Sequence, residues 1–264
     1  SSNSHLETLS LDSLETVGAS IQFYSSSSLD EVSMPSLTTV EGSLSFYYQD
    51  SAHVVSAPLL EIVEGSLYFY DNSGIEEVSF ESLVEIGSEV YFYDNHSLET
   101  VHLPSVAEVH SSISFYYNDS LDSIDMSGLV ESSSSINISN NSQLQTLDFA
   151  SLETVNSSFY IYNNSDLADM DVSSLQEISG SLTFDYNDGC EDLDFPELTE
   201  VEGSMSVSYN DSLLSLSAES LTSLDSTLTI RDNEDLTDVD LSSLSCVSDY
   251  TIENNNLSES TQYD

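Results

Sequence analysis

The phrase SISFYYNDS, Ser112 to Ser120, decides the fold. Ile113 and Phe115 alternate with Ser114 and Tyr116, the period of two that marks a strand with one face turned inward, and the phrase ends in Asn-Asp-Ser, a turn signal. Nearly the same words stand at 43–51 (SLSFYYQDS), 66–74 (SLYFYDNSG), 89–97 (EVYFYDNHS), 158–166 (SFYIYNNSD) and 181–189 (SLTFDYNDG). Their starts differ by 23 residues or by a multiple of 23.

The same step governs the rest of the chain. Counting from Leu6, an apolar position returns at Leu29, Ala52, Ile75, Leu98, Leu121, Leu144, Leu167, Cys190, Leu213 and Leu236. These are the starts of eleven coils in one repeat domain over residues 1–264. A period between about 20 and 50 residues marks a stacked repeat architecture. Within the coil that begins at Leu98, the inward candidates are Leu98, Val101, Leu103, Val106, Val109, Ile113 and Phe115. Several of them differ by two, and no interval holds a ten-residue helical pattern. The expected fold is therefore all-β: a parallel β-solenoid whose coils rise about 4.8 Å each, in a rod near 50 Å long.

Columns read down the repeat assign the corners. Phe23, Phe46, Phe69, Phe92 and Phe115 form an internal aromatic column, and Tyr24, Tyr47, Tyr70, Tyr93, Tyr116 and Tyr162 an external one. Asn72, Asn95, Asn118, Asn141, Asn164, Asn187, Asn210, Asn233 and Asn256 mark one corner as an amide ladder, because a buried amide can bond to backbone or to its own copy one coil away. Gly42, Gly65, Gly180 and Gly203 mark a second corner, where glycine points to a positive φ or to close backbone approach. Pro35, Pro58, Pro104 and Pro196 mark a third. Three corners imply a roughly triangular cross-section.

The pattern L-x-x-V-x-L-P-S-L-x-x-V-x-G-S-L-x-F-x-x-N is clearest in VSMPSLTTVEGSLSF and VHLPSVAEVHSSISF. It resembles the leucine-rich solenoid of receptor L-domains and of the related GPI-anchored fungal cell-wall proteins, along the whole chain. The resemblance implies a secreted or cell-surface β-solenoid used for binding, adhesion or wall structure.

Charge narrows the partners. There are 48 acidic residues against one basic residue, Arg231, for a formal charge of −47. Nucleic acid is excluded for the chain acting alone, since phosphate contacts need Lys and Arg, and so is direct attraction to an anionic membrane. No apolar run is long enough to insert in a bilayer as a helix. Cations, cationic surfaces, glycans, other surface proteins and copies of itself remain. Acidic columns (Glu7, Asp30, Glu76, Glu99, Asp122, Glu191; and Asp125, Asp148, Asp171, Asp194, Asp240) place like charges about 5 Å apart, worth roughly 0.8 kcal/mol of repulsion per pair in bulk water and about 3 kcal/mol at an effective dielectric near 20. Salt, bound Ca²⁺ or a cationic partner is expected to neutralise them. The turn phrases YDNS, YNDS and RDNED offer oxygen ligands but match no EF-hand loop.

No enzyme is expected. Acids repeated in every coil single out no catalytic carboxyl, the serines lack a His-Asp arrangement, and His5, His53, His96, His102 and His110 fall in different columns. Cys190 sits in the leading apolar column and Cys246 about two coils further on, too far for a disulfide. Among the N-x-S/T sequons, Asn137 and Asn156 lie off the amide ladder and are the glycosylation candidates. The function expected is an extracellular structural or adhesive module that stacks end to end or with neighbours; the alternative is recognition of a glycan or peptide on the tyrosine column.

Overall fold

A computed structural model describes residue 3 and residues 5–258. Every regular element in this part is a strand, all pairings are parallel, and partners are 23 residues apart until the last coil. Each interior coil has three strand segments. In the coil at Leu98 they are Thr100–His102, Glu108–Val109 and Ile113–Tyr116. The first segments stack into sheets of eight and three strands, and the other two kinds belong to a single twenty-stranded sheet. Together they build eleven coils of a parallel β-solenoid.

The core is a set of vertical columns. All seven inward candidates of the Leu98 coil are buried. Phe23, Phe46, Phe69, Phe92 and Phe115 stack with ring centroids 4.8, 4.7, 4.6 and 4.8 Å apart, the spacing of neighbouring parallel strands.

Each corner has its own chemistry. At the proline corner the N–H of Val106 donates to the Leu103 carbonyl (3.3 Å), closing a β-turn with Pro104 at its second position, where the ring's fixed φ fits. At the glycine corner a Cβ on Gly42 would lie 2.6 Å from the Ser20 backbone nitrogen, and one on Gly203 2.6 Å from the Gly180 backbone. Close approach explains those glycines; no glycine has a positive φ. Left-handed backbone falls instead on the residue before the amide ladder, in the column Ser25, Tyr48, Asp71, Asp94, Tyr117, Asn140, Asn163, Tyr186, Tyr209 and Asp232, with φ of 49–60°.

Two further features depart from the repeat. The last coil is one residue short: its pairing slips between Leu224 and Thr227, and the long strands Ser223–Arg231 and Cys246–Glu253 run straight through the glycine corner. Asn255, not Asn256, therefore receives the ladder bonds of Asn233. In addition, the first-segment sheet is interrupted between Asp169–Asp171 and Asp192–Asp194, which do not pair.

Candidate interaction surface

The residues of the long segment alternate strictly, so positions two apart share a face. Leu67 and Phe69 are buried and Tyr68 and Tyr70 point out. The predicted external column is thus one of three. Tyr68, Tyr91 and Tyr160 form a second beside it, and Tyr48, Tyr117, Tyr186 and Tyr209 a third on the left-handed turn residue. The expectation of a single column missed seven tyrosines; the strand period already placed Tyr68, Tyr91 and Tyr160 on the outer face.

The rings join into two clusters. From Tyr24 to Tyr117, each tyrosine lies within 6.3 Å of another, with Tyr68–Tyr91 and Tyr70–Tyr93 stacked at 4.8 and 5.2 Å. Tyr160, Tyr162, Tyr186 and Tyr209 form the other, with Tyr186 and Tyr209 stacked at 4.6 Å. Between them the sixth coil carries Asn137, Ser139 and Asn140, and the side-chain oxygen of Asn137 is buried with no hydrogen-bond partner. Lost hydration, then neighbouring phenols, pushes the hydroxyls of Tyr48, Tyr91, Tyr160 and Tyr186 up, and that of Tyr68 up to about 12.

One spot breaks the repeat chemically. Arg231 lies over the Tyr209 ring, 5.0 Å from its centroid, and 3.7 Å from an Asp232 oxygen. Nearby Asp185 takes the place of a tyrosine in the external column. Burial pushes its carboxyl up, against the lowering effect of the Ser206 hydroxyl (2.9 and 3.2 Å to its two oxygens), Ser208 and Arg231.

The amide ladder is internal and structural in its contacts. Asn118 Oδ1 accepts from the backbone N–H and Nδ2 of Asn95 (3.1 and 2.9 Å), and its own Nδ2 donates to the Phe92 carbonyl and Asn141 Oδ1 (3.2 and 3.1 Å). Asn72, Asn95, Asn141, Asn164, Asn187, Asn210 and Asn233 are buried in the same column. Of the glycosylation candidates, Asn156 is exposed at a corner and donates to Glu131, whereas Asn137 is half-buried in the tyrosine face.

Four histidines pair with carboxylates of their own or an adjacent coil: His53 with Glu76 (2.9 Å), His96 with Asp94 (3.1 Å), His102 with Asp125 (2.8 Å) and His110 with Glu85 (3.2 Å). Among the described residues, no three His, Cys, Asp or Glu side chains are grouped to hold a metal ion. Both cysteines are free, Cys190 buried with its thiol pushed up to about 12 by burial, Cys246 exposed. No described helix is long and apolar enough to cross a membrane.

A parallel β-solenoid with leucine-rich coils and an aromatic outer face is a repeat scaffold of the protein-interaction type. Residues 63–166 match the family model of the BspA type leucine-rich repeat region, in six copies, so this stretch is similar to that family. No curated protein matches the chain. Leucine-rich repeat solenoids are typically non-enzymatic.

Proposed function

We propose that the protein is a non-enzymatic structural or adhesive module of the extracellular or cell surface, and that the tyrosine face is its contact surface. One observation carries this reading. Tyr48, Tyr117, Tyr186 and Tyr209 occupy left-handed backbone that Asp or Asn fills in sister coils, at a cost of roughly 1–2 kcal/mol each for a residue without a compensating side chain. Tyr117 and Tyr186 are exposed and Tyr48 and Tyr209 half-buried, and aromatic rings held at strained positions that reach solvent point to use of the rings. Repeats of the BspA type are typical of surface or secreted bacterial proteins, which supports the location. The likeness to receptor L-domains and fungal wall proteins points the same way.

A contact made through phenol faces is apolar in origin, and the charge of −47 opposes it between copies. Self-association is therefore expected to strengthen with salt. Sedimentation of the full chain at low and high NaCl tests this, with Tyr70→Ser/Tyr93→Ser/Tyr116→Ser and Tyr117→Asn as variants. Salt-promoted association that the triple variant loses, with Tyr117→Asn at least as stable as the parent but weaker in association, supports the reading. Association unchanged by either variant, or a monomer under all conditions, counts against it.

End-to-end stacking is a second mode of the same role. Leu6, Leu9 and Leu14 in the first coil, and Leu241, Leu244 and Val247 in the last, are only partly buried although they continue the core columns. A further coil of the same polypeptide or the end of a second copy would cover them.

The alternative, recognition of a glycan or peptide, draws on the sixth coil. The sixth coil, which carries no tyrosine and lies between two tyrosine clusters, suits a ligand with a polar middle and faces to stack on either side. A panel of immobilised glycans probed with the parent and with Tyr116→Ser/Tyr160→Ser distinguishes it: binding lost in the variant favours recognition, and no binding by the parent dismisses the glycan form.

A further inference from the structure

The interruption of the first-segment sheet has a cause in the sequence. At this step, between the eighth and ninth coils, Asp169 faces Asp192 and Asp171 faces Asp194, so both outward positions of the strand meet a like charge. Elsewhere at most one of the two does: Thr146 pairs with Asp169 while Asp148 pairs with Asp171, and that ladder holds. Two adjacent carboxylate pairs at strand spacing repel strongly enough to favour opening of the strand pair.

The opening exposes core. Met170 belongs to the inward column in which Leu147 and Leu193 are buried at 1% and 2% exposure, yet it is only partly buried. Beside it lies a groove of about 450 Å³, within the range of about 300–1,000 Å³ usual for ligand clefts. Its floor includes Leu147, Met170 and Val172, and its rim Asp148, Asp171 and Asp194. One rim carboxylate stands apart. Asp148 and Asp171 each accept a hydrogen bond from the backbone N–H two residues on, at Ala150 and Ser173 (both 3.0 Å). Asp194 has Pro196 at that position, which lacks an N–H, and it accepts no hydrogen bond from the described residues.

We propose that this split step is a docking groove for a partner segment that presents lysine or arginine side chains. The aliphatic stem of such a side chain covers the Met170 floor while its cationic head reaches the Asp171 and Asp194 carboxylates. The cation has to come from outside residues 1–264, because they hold no other Lys or Arg than Arg231, which is engaged with Tyr209 and Asp232. The rim carboxylates are not gathered as a metal cage, which fits a spread organic cation. This site is separate from the tyrosine face and has the opposite salt dependence: binding here weakens as salt rises, whereas phenol contacts strengthen.

The test is fluorescence anisotropy of the full chain with a dye-labelled, end-blocked pentapeptide alternating lysine and valine. Asp171→Asn/Asp194→Asn is compared with a charge-matched control, Glu41→Gln/Glu64→Gln, at the distant glycine corner. The expected result is a loss of affinity of about tenfold or more in the groove variant and less than about twofold in the control. Circular dichroism checks that both variants stay folded, and removal of like charge does not threaten the coil. Equal losses in the two variants mean diffuse attraction to an acidic rod and overturn the proposal. So does an undetectable interaction with the parent at physiological salt, or a peptide displaced completely by low calcium in the parent and not in the groove variant, which makes the site a metal site.

Discussion

Asn118 illustrates what holds a corner. Its amide is buried and uses both donors and its oxygen, so no polar atom of the side chain is left over. Truncation in Asn118→Ala removes those bonds and leaves the Asn95 backbone N–H unpaired inside the corner, at a cost of roughly 1–3 kcal/mol read by urea unfolding. The second coil supplies the converse. Gln49 stands where the ladder expects Asn; its backbone N–H donates to Asn72 Oδ1 (3.0 Å) and its Nε2 to the Tyr47 carbonyl (2.7 Å), but its Oε1 is buried without a partner. Gln49→Asn is expected to raise stability by about 1 kcal/mol in the same experiment, and a loss of stability there contradicts this account of the ladder. The ladder was legible in the sequence because one residue type repeats at one spacing. Its final member was not: Asn254, Asn255 and Asn256 are consecutive, and only the one-residue shortening of the last coil selects Asn255.

The element on which the proposed contact surface rests is the long strand segment with its outward tyrosines. Burial and mutual repulsion of phenolates hold Tyr68 protonated to about 12, against 10.0 for the free phenol, and Tyr48, Tyr91, Tyr160 and Tyr186 shift in the same direction. In this range the unfolded chain loses these protons before the folded coil does, so the contribution of the tyrosine face to stability is intact below pH 10 and lost as the pH climbs towards about 12. Thermal unfolding between pH 9 and 12, followed with phenolate absorbance, is expected to show a steep fall in stability that the Tyr68→Phe variant lessens. The paired strands and the inward Phe46, Phe69 and Phe92 follow from a period of two inside a period of 23 and were readable without coordinates. The turn residues were not. Glycine is the usual mark of left-handed backbone, but here it answers a neighbouring backbone at 2.6 Å, while Tyr117 and its column carry the positive φ. The split between Asp169–Asp171 and Asp192–Asp194 escaped notice for a different reason: each Asp fits its column, and only their coincidence on both sides of one step opens the sheet.

On the scale of the whole molecule, the pairing register aligns acid with acid along the rod. Glu85, Glu108 and Glu131 are consecutive partners, as are Asp125, Asp148 and Asp171. Nothing within the chain balances a charge of −47. The screening length falls from about 10 Å at 0.1 M salt to about 3 Å at 1 M, from beyond the coil spacing to within it. The thermal midpoint is therefore expected to rise with NaCl and with CaCl₂ at neutral pH, and a flat response contradicts the charge account. All of these expectations depend on residues 23 apart lying one above another at a constant rise. Pulsed electron–electron distances test that most directly, with nitroxides on exposed cysteines introduced in a single column on a Cys246→Ser background, where buried Cys190 stays unlabelled. The pairs Glu61→Cys/Glu153→Cys and Glu61→Cys/Thr199→Cys, four and six coils apart, should give distances centred near about 19 Å and about 29 Å. Distances that do not grow in proportion to the number of coils would contradict the stacked coil itself.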